Sequence, residues 1–249
     1  MCVAALAWHA HPRWRLVAIG NRDEYHARPA APLALWDDGS GTVAGRDLVG
    51  GGTWLGVTAA GRFALITNRR GFGDPDPVRR SRGELVSALL TGGEPPAELQ
   101  AYNPFNLFSV RSDTLEYLTN SPETLRSPLG HGIYGLSNGA LDEPWPKTLA
   151  LKTALTDWLA RSDPDFAPLF AALASEDRPA LGLPSREASD IALEPRDTPP
   201  FIRGALYGTR CSTVVTVDAD GAGRIIERRF DAAGSATGDT ALDFRWPPA

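Results

Sequence analysis

Cysteine is nearly absent: Cys2 and Cys211 are the only two in 249 residues, too few for the disulfide framework of a small secreted domain. Lysine is equally scarce, with Lys147 and Lys152 alone among 25 basic residues. The formal net charge of −5 provides no basic field, which argues against nucleic acid as the main partner. No stretch approaches the roughly eighteen apolar residues of a membrane span. The apolar run after Met1 stops at Trp8-His9 with no positive charge ahead of it, so it does not fit a signal peptide, and a cytoplasmic location is expected. His9, His11, His26 and His131 lack metal-ligand spacing, and two distant cysteines form no zinc signature. Gly50-Gly51-Gly52 lacks the Gly-Lys-Ser/Thr of a phosphate loop. Gly130-His131-Gly132-Ile133-Tyr134-Gly135 has the letters of a dinucleotide loop without its strand and helix.

What the chain does have is apolar residues, at 43%, enough for a sizeable core, with no repeat or linker to divide it. A single domain over 1–249 is expected. Cys2 to Trp8 and Trp14 to Gly20 are apolar runs joined by His9-Ala10-His11-Pro12-Arg13, which predicts a β-hairpin. Residues 28–50 read as irregular. Thr53 to Thr58 with Phe63 to Asn68, Leu107 to Val110 with Leu115 to Leu118, and Leu206 to Val217 with Arg224 to Phe230 read as further hairpins, and Ile133 to Leu136 as a lone strand. Ser81-Arg82-Gly83-Glu84 fits a capping box before a short helix ended by Gly92-Gly93. Helical spacing recurs over 146–161 and 166–173, and 176–203 reads as a long loop or lid. Many hairpins and few helices imply an α+β protein: two stacked antiparallel sheets with helices on their outer faces, a four-layer αββα sandwich.

The candidate chemistry begins at Cys2. Removal of Met1 would place a thiol and a free α-amine on one residue, and an α-amine of pKa roughly 7.7–8.0 can take the thiol proton near neutral pH. The hairpin returns Arg22 and Asp23 to the neighbourhood of residue 2. A guanidinium there favours the thiolate, while Asp23 can orient the α-ammonium or pair with Arg22. Asn68 and Asn138, at strand ends, are side-chain donors of the sort an oxyanion hole uses, although strand-end asparagines are ordinarily turn residues. Arg210 interrupts an apolar strand, which predicts a site carboxylate or an anionic substrate beside it.

Met1-Cys2, Asn21-Arg22-Asp23-Glu24 with Arg28-Pro29, Gly51-Gly52-Thr53-Trp54-Leu55-Gly56, Thr67-Asn68, Gly135-Leu136-Ser137-Asn138 and Tyr207-Gly208-Thr209-Arg210 together resemble the NRDE family, also called the transport and Golgi organisation 2 family. That family is similar to N-terminal nucleophile hydrolases of the bile-salt hydrolase and penicillin V acylase group, which implies the same four-layer fold. The resemblance implies Cys2 as nucleophile, Asp23 supporting its α-amine, Asn68 or Asn138 as oxyanion or amine contacts, and Arg210 as a site arginine. In those hydrolases the arginine lies a few residues before the aspartate, where this chain has Gly20, so no role carries over to Arg22. The expectation is a cysteine amidohydrolase cleaving a linear C–N amide of a small molecule, needing no cofactor. The alternative is a carrier or chaperone that holds haem, an acyl-CoA or another amphipathic anionic ligand in the same cleft.

Overall fold

The computed structural model describes residues 2–161, 165–178, 181–182 and 198–248. One sheet is built on the first hairpin, β1 (Cys2–His11) with β2 (Trp14–Tyr25). The second runs in chain order through β3 (Ala30–Leu35), β4 (Thr42–Asp47), β5 (Leu55–Thr58), β6 (Arg62–Asn68), β7 (Phe105–Arg111), β8 (Thr114–Thr119) and β9 (Leu125–Leu129). The chain then rejoins the first sheet with β10 (Gly132–Leu136), β11 (Tyr207–Asp218), β12 (Ala222–Phe230) and β13 (Ala236–Arg245), in the order β10-β1-β2-β11-β12-β13. Neighbouring strands in both sheets are antiparallel. Three α-helices are described: α1 (Gly83–Leu90), α2 (Pro146–Leu159) and α3 (Ala167–Leu173).

Strand periodicity of two divides each strand between two apolar layers. Leu6, Trp8, Leu16 and Ala18 meet Val57, Phe63, Leu65 and Phe108 between the sheets. Val3, Ala5, Ala7, Val17 and Ile19 face the other way, against Leu151, Leu155 and Trp158 of α2 and Leu169, Phe170 and Leu173 of α3. On the far side, Leu85, Val86 and Leu90 of α1 cover Ala64, Ile66 and Leu107 of the second sheet. The layers are therefore helices, sheet, sheet, helix, as the hairpin order implies. Burial on both faces explains why β1 reads as an unbroken apolar run.

The structure corrects four local readings. Residues 28–50 hold β3 and β4. Pro32 sits on an edge strand, where a missing N–H costs no ladder bond, and the register slips beside it between Ala31 and Ala34. β9, also an edge, carries Pro128 in the same way. β13 is mostly exposed and lacks an apolar pattern. It is tied instead by Arg224–Asp243 and Arg228–Asp239, cross-strand partners in register at 2.6 and 2.7 Å. No side-chain cap closes α1: Arg82 occupies the N-cap position, and the Ser81 hydroxyl lies against Gly50 instead. The loop or lid expected over 176–203 falls largely outside the described residues.

Candidate active site

The open ends of β1, β2 and β11 form the floor of a cavity of about 530 Å³, walled by β3, β4 and the segment leading into α1. The register sets Cys2 opposite Arg22 on one side of β2 and Cys211 opposite Arg22 on the other. The two thiols are thus two strand spacings apart, about 10 Å between Cα atoms, too far for a disulfide without moving the backbone. Both cysteines are buried and free.

Cys2 is 8% exposed and its backbone is fixed from a third direction. The Ser137 hydroxyl donates to the Cys2 carbonyl at 2.9 Å, and the Ser137 carbonyl accepts from the Thr67 hydroxyl at 2.6 Å, linking the two sheets at the site. Burial pushes the Cys2 thiol up. The amino-terminal charge, a hydrogen bond from the Asp23 backbone and the Arg22 charge oppose that rise without cancelling it. A thiol in this state is protonated at neutral pH and needs a base before it can attack.

Arg22 lies over Cys2 with its Nη2 3.4 Å from Asp47 and 3.6 Å from Glu24, while Nη1 is buried without a partner among the described residues. Asp47 itself binds Arg28 Nε at 2.7 Å and accepts the Val49 and Gly50 amides. Burial raises its carboxyl, yet Arg28 and those amides outweigh it and hold Asp47 below the ordinary carboxylate range. Asp23 points the other way, toward the helix layer. Thr209 donates to its Oδ1 at 2.7 Å and Tyr207 to its backbone carbonyl at 2.8 Å. Burial pushes the Asp23 carboxyl up to about 6, against the amino-terminal charge, Lys147, Thr209 and Arg22.

The remaining expected residues divide. Asn68 lines the cavity, and among the described residues its side chain makes no hydrogen bond, which leaves an amide donor open to a ligand oxygen. Asn138 is fully buried and does not line the cavity. Its amide donates to the Asn68 carbonyl at 2.7 Å, so it shapes the strand end rather than facing a ligand. Arg210 does reach the rim, but the expected carboxylate beside it is replaced by backbone: Nη1 donates to the carbonyls of Tyr25, His26 and Arg28 at 3.0–3.2 Å. It sits at a bulge between Thr209 and Cys211, and the extra residue turns its side chain off the strand pattern.

Three residues that no motif marks complete the site. Arg82 feels the Cys2 charge, donates to the Pro104 carbonyl at 3.1 Å, and is brought down to about 10, chiefly by burial. Glu227, 5% exposed, shares a hydrogen bond with Cys211 and accepts the Leu33 amide at 2.9 Å. Lys147, with no exposed surface, feels the charges of Asp23 and Cys2. A fully buried lysine is rare enough to be a signal, but burial cannot be read from a sequence. Among the described residues no group of histidine, cysteine and carboxylate side chains could hold a metal ion, and no helix is long and apolar enough to cross a membrane.

Comparison with known proteins bears on the family and the fold. The chain is 32% identical to the Transport and Golgi organization protein 2 homolog of Bos taurus and 31% to that of Homo sapiens, each match covering 92% of both chains. Among solved structures it superimposes on a Caenorhabditis elegans N-acylethanolamine-hydrolyzing acid amidase ortholog with a TM-score of 0.53. That match covers 86% of this chain and 92% of the amidase at 11% identity, a likeness of fold. The model of the Transport and Golgi organisation 2 family matches residues 1–232, and the chain belongs to that family.

Proposed function

We propose that the protein is an N-terminal nucleophile amidohydrolase that cleaves a linear amide through an acyl-enzyme on Cys2. The observation that carries this reading is the placement of Cys2 at the head of a cavity, with its carbonyl pinned by Ser137 and Arg22 opposite it on the paired strand. The fold neighbour is an N-acylethanolamine-hydrolyzing acid amidase ortholog, so this architecture supports amide hydrolysis in that protein. Because burial keeps the thiol protonated, the base is the α-amine uncovered when Met1 is removed. The amine takes the thiol proton as Sγ bonds to the substrate carbonyl carbon. The Asn68 amide donates to the oxyanion, a role in which one donor contributes about 3–4 kcal/mol. The ammonium then returns its proton to the leaving nitrogen as the C–N bond breaks, and water releases the acyl group by the reverse proton path. Asp23, behind Cys2, orients the amine. The test is turnover of acyl amides by the Met1-processed protein: Cys2→Ala should abolish it, and full activity in that variant would rule the mechanism out.

A second reading, a carrier for an amphipathic anion such as haem or an acyl-CoA, has one observation in its favour. Eight arginines and five carboxylates line the cavity, a positive interior in a chain of net charge −5. Cys2→Ala that keeps micromolar affinity while Arg82→Ala loses it, with no turnover in wild type, is the result this reading requires.

A further inference from the structure

Lys147 is the second residue of α2, after Pro146, and has no surface exposed to solvent. Lysine is almost never buried this completely unless paired, because its ammonium loses its hydration on burial. Its Nζ donates to the Thr198 hydroxyl at 2.8 Å, which satisfies one of three N–H donors. The negative charge it needs comes from the strand beneath. β2 alternates at its end: Arg22 points into the cavity, while Asn21 and Asp23 point into the helix layer. Asn21 donates to the carbonyls of Leu173 and Pro200, at 2.7 and 2.8 Å, so the end of α3 and the segment around Thr198 close over this face. Thr209, on β11, supplies the hydroxyl to Asp23. Lys147 and Asp23 are therefore buried together behind the strand end that carries Cys2, and Asp23 also borders the cavity in front.

We propose that Lys147 is a positioning residue: its buried ammonium, anchored on Thr198, is the counter-ion that keeps Asp23 ionised behind Cys2, so that Asp23 can hold the α-amine of processed Cys2. This rests on the hydrolase reading. The lysine acts in two ways, one on the carboxylate and one on the amine, the second offsetting the pull of the ionised carboxylate on the amine's proton. An opposite charge favours the carboxylate of Asp23 against its burial, and a like charge favours the neutral amine, the form that accepts the thiol proton. Burial brings Lys147 itself down to about 8, against the charges of Asp23 and Cys2, so the ammonium is held at neutral pH. The other charged groups acting on the pair are the amino terminus and Arg22, with Arg82 and Cys211 acting on Cys2 from α1 and β11.

The experiment follows the rate of Cys2 alkylation by iodoacetamide against pH, read by intact mass on protein lacking Met1, in a Cys211→Ala background. Lys147→Met should move the midpoint of reactivity up by about one pH unit, a loss of roughly tenfold at pH 7, with Lys147→Arg restoring part of it. Thr198→Val, which keeps the lysine and removes its anchor, should move it in the same direction by less, and serves where Lys147→Met does not fold. A folded Lys147→Met, or failing that Thr198→Val, whose midpoint stays at the wild-type value overturns this role alone. Wild-type Cys2 that no pH renders reactive overturns the hydrolase reading and the role of Lys147 with it.

Discussion

The residues of the site are organised by the two faces of one strand. Arg22 and Asp23 are adjacent in sequence, yet their side chains leave β2 on opposite faces, Arg22 toward Asp47 and Glu24 and Asp23 toward Thr209, so they divide the work and do not pair. Asp23 has a pH signature. Its folded pKa, about 6, is above the unfolded value near 3.9. The folded state therefore binds more protons between these values, and this contribution to stability is present below about pH 4 and lost as pH rises through 6. Chemical denaturation from pH 4 to 6.5 should show that decline in wild type and not in Asp23→Asn. Lys147 has the opposite sign. Its folded value, about 8, is below the unfolded value near 10.4, so its contribution is present above about pH 10.5 and lost as pH falls through 8. The corresponding rise from pH 8 to 10.5 should vanish in Lys147→Met.

At the scale of elements, close backbone approaches place the arginines. A Cβ on Gly52 would lie 2.4 Å from the Gly83 carbonyl group, at the start of α1 and beside Arg82. Gly52→Ala is expected to push α1 outward, cost about 1–3 kcal/mol by denaturant titration, and weaken any ligand contact that Arg82 makes. Gly20 is equally confined: a Cβ there would sit 2.8 Å from the Val3 carbonyl and 3.2 Å from Trp54, in the strand that aims Arg22. Gly20 therefore stands where bulk is excluded, a packing reason for the small residue at this position.

For the whole molecule, the layer between the sheets should carry the largest share of stability. Leu65→Ala, at a fully buried position in that layer, is expected to cost about 2–5 kcal/mol, measured by urea denaturation. Binding in the cavity belongs to this scale too, because its positive interior is assembled from four strands and the approach to α1. Affinity for an anionic ligand should fall as salt rises, and less steeply for Arg82→Ala.

The hairpins, the three main helices and the four-layer order were legible in the sequence because apolar periodicity encodes which faces are buried. So was the return of Arg22 and Asp23 to the neighbourhood of Cys2, but the pairing of Cys2 with Arg22 was not, because an irregularity between Trp8 and His11 sets the register. Edge strands β3, β9 and β13 were not legible, because an edge needs little apolar pattern and tolerates proline. Nor was the division among Asn68, Asn138 and Arg210: a bulge and a turn decide which side chain reaches the cavity, and neither has a residue code. Lys147 and Glu227 belong wholly to the tertiary structure. A charge becomes chemically unusual only when distant elements close over it, Thr198 and the β2 end over Lys147, Leu33 and Cys211 over Glu227. Local sequence determined most of the strands and which residues return beside Cys2. Burial, and with it the protonation of the site, was decided only when the layers met.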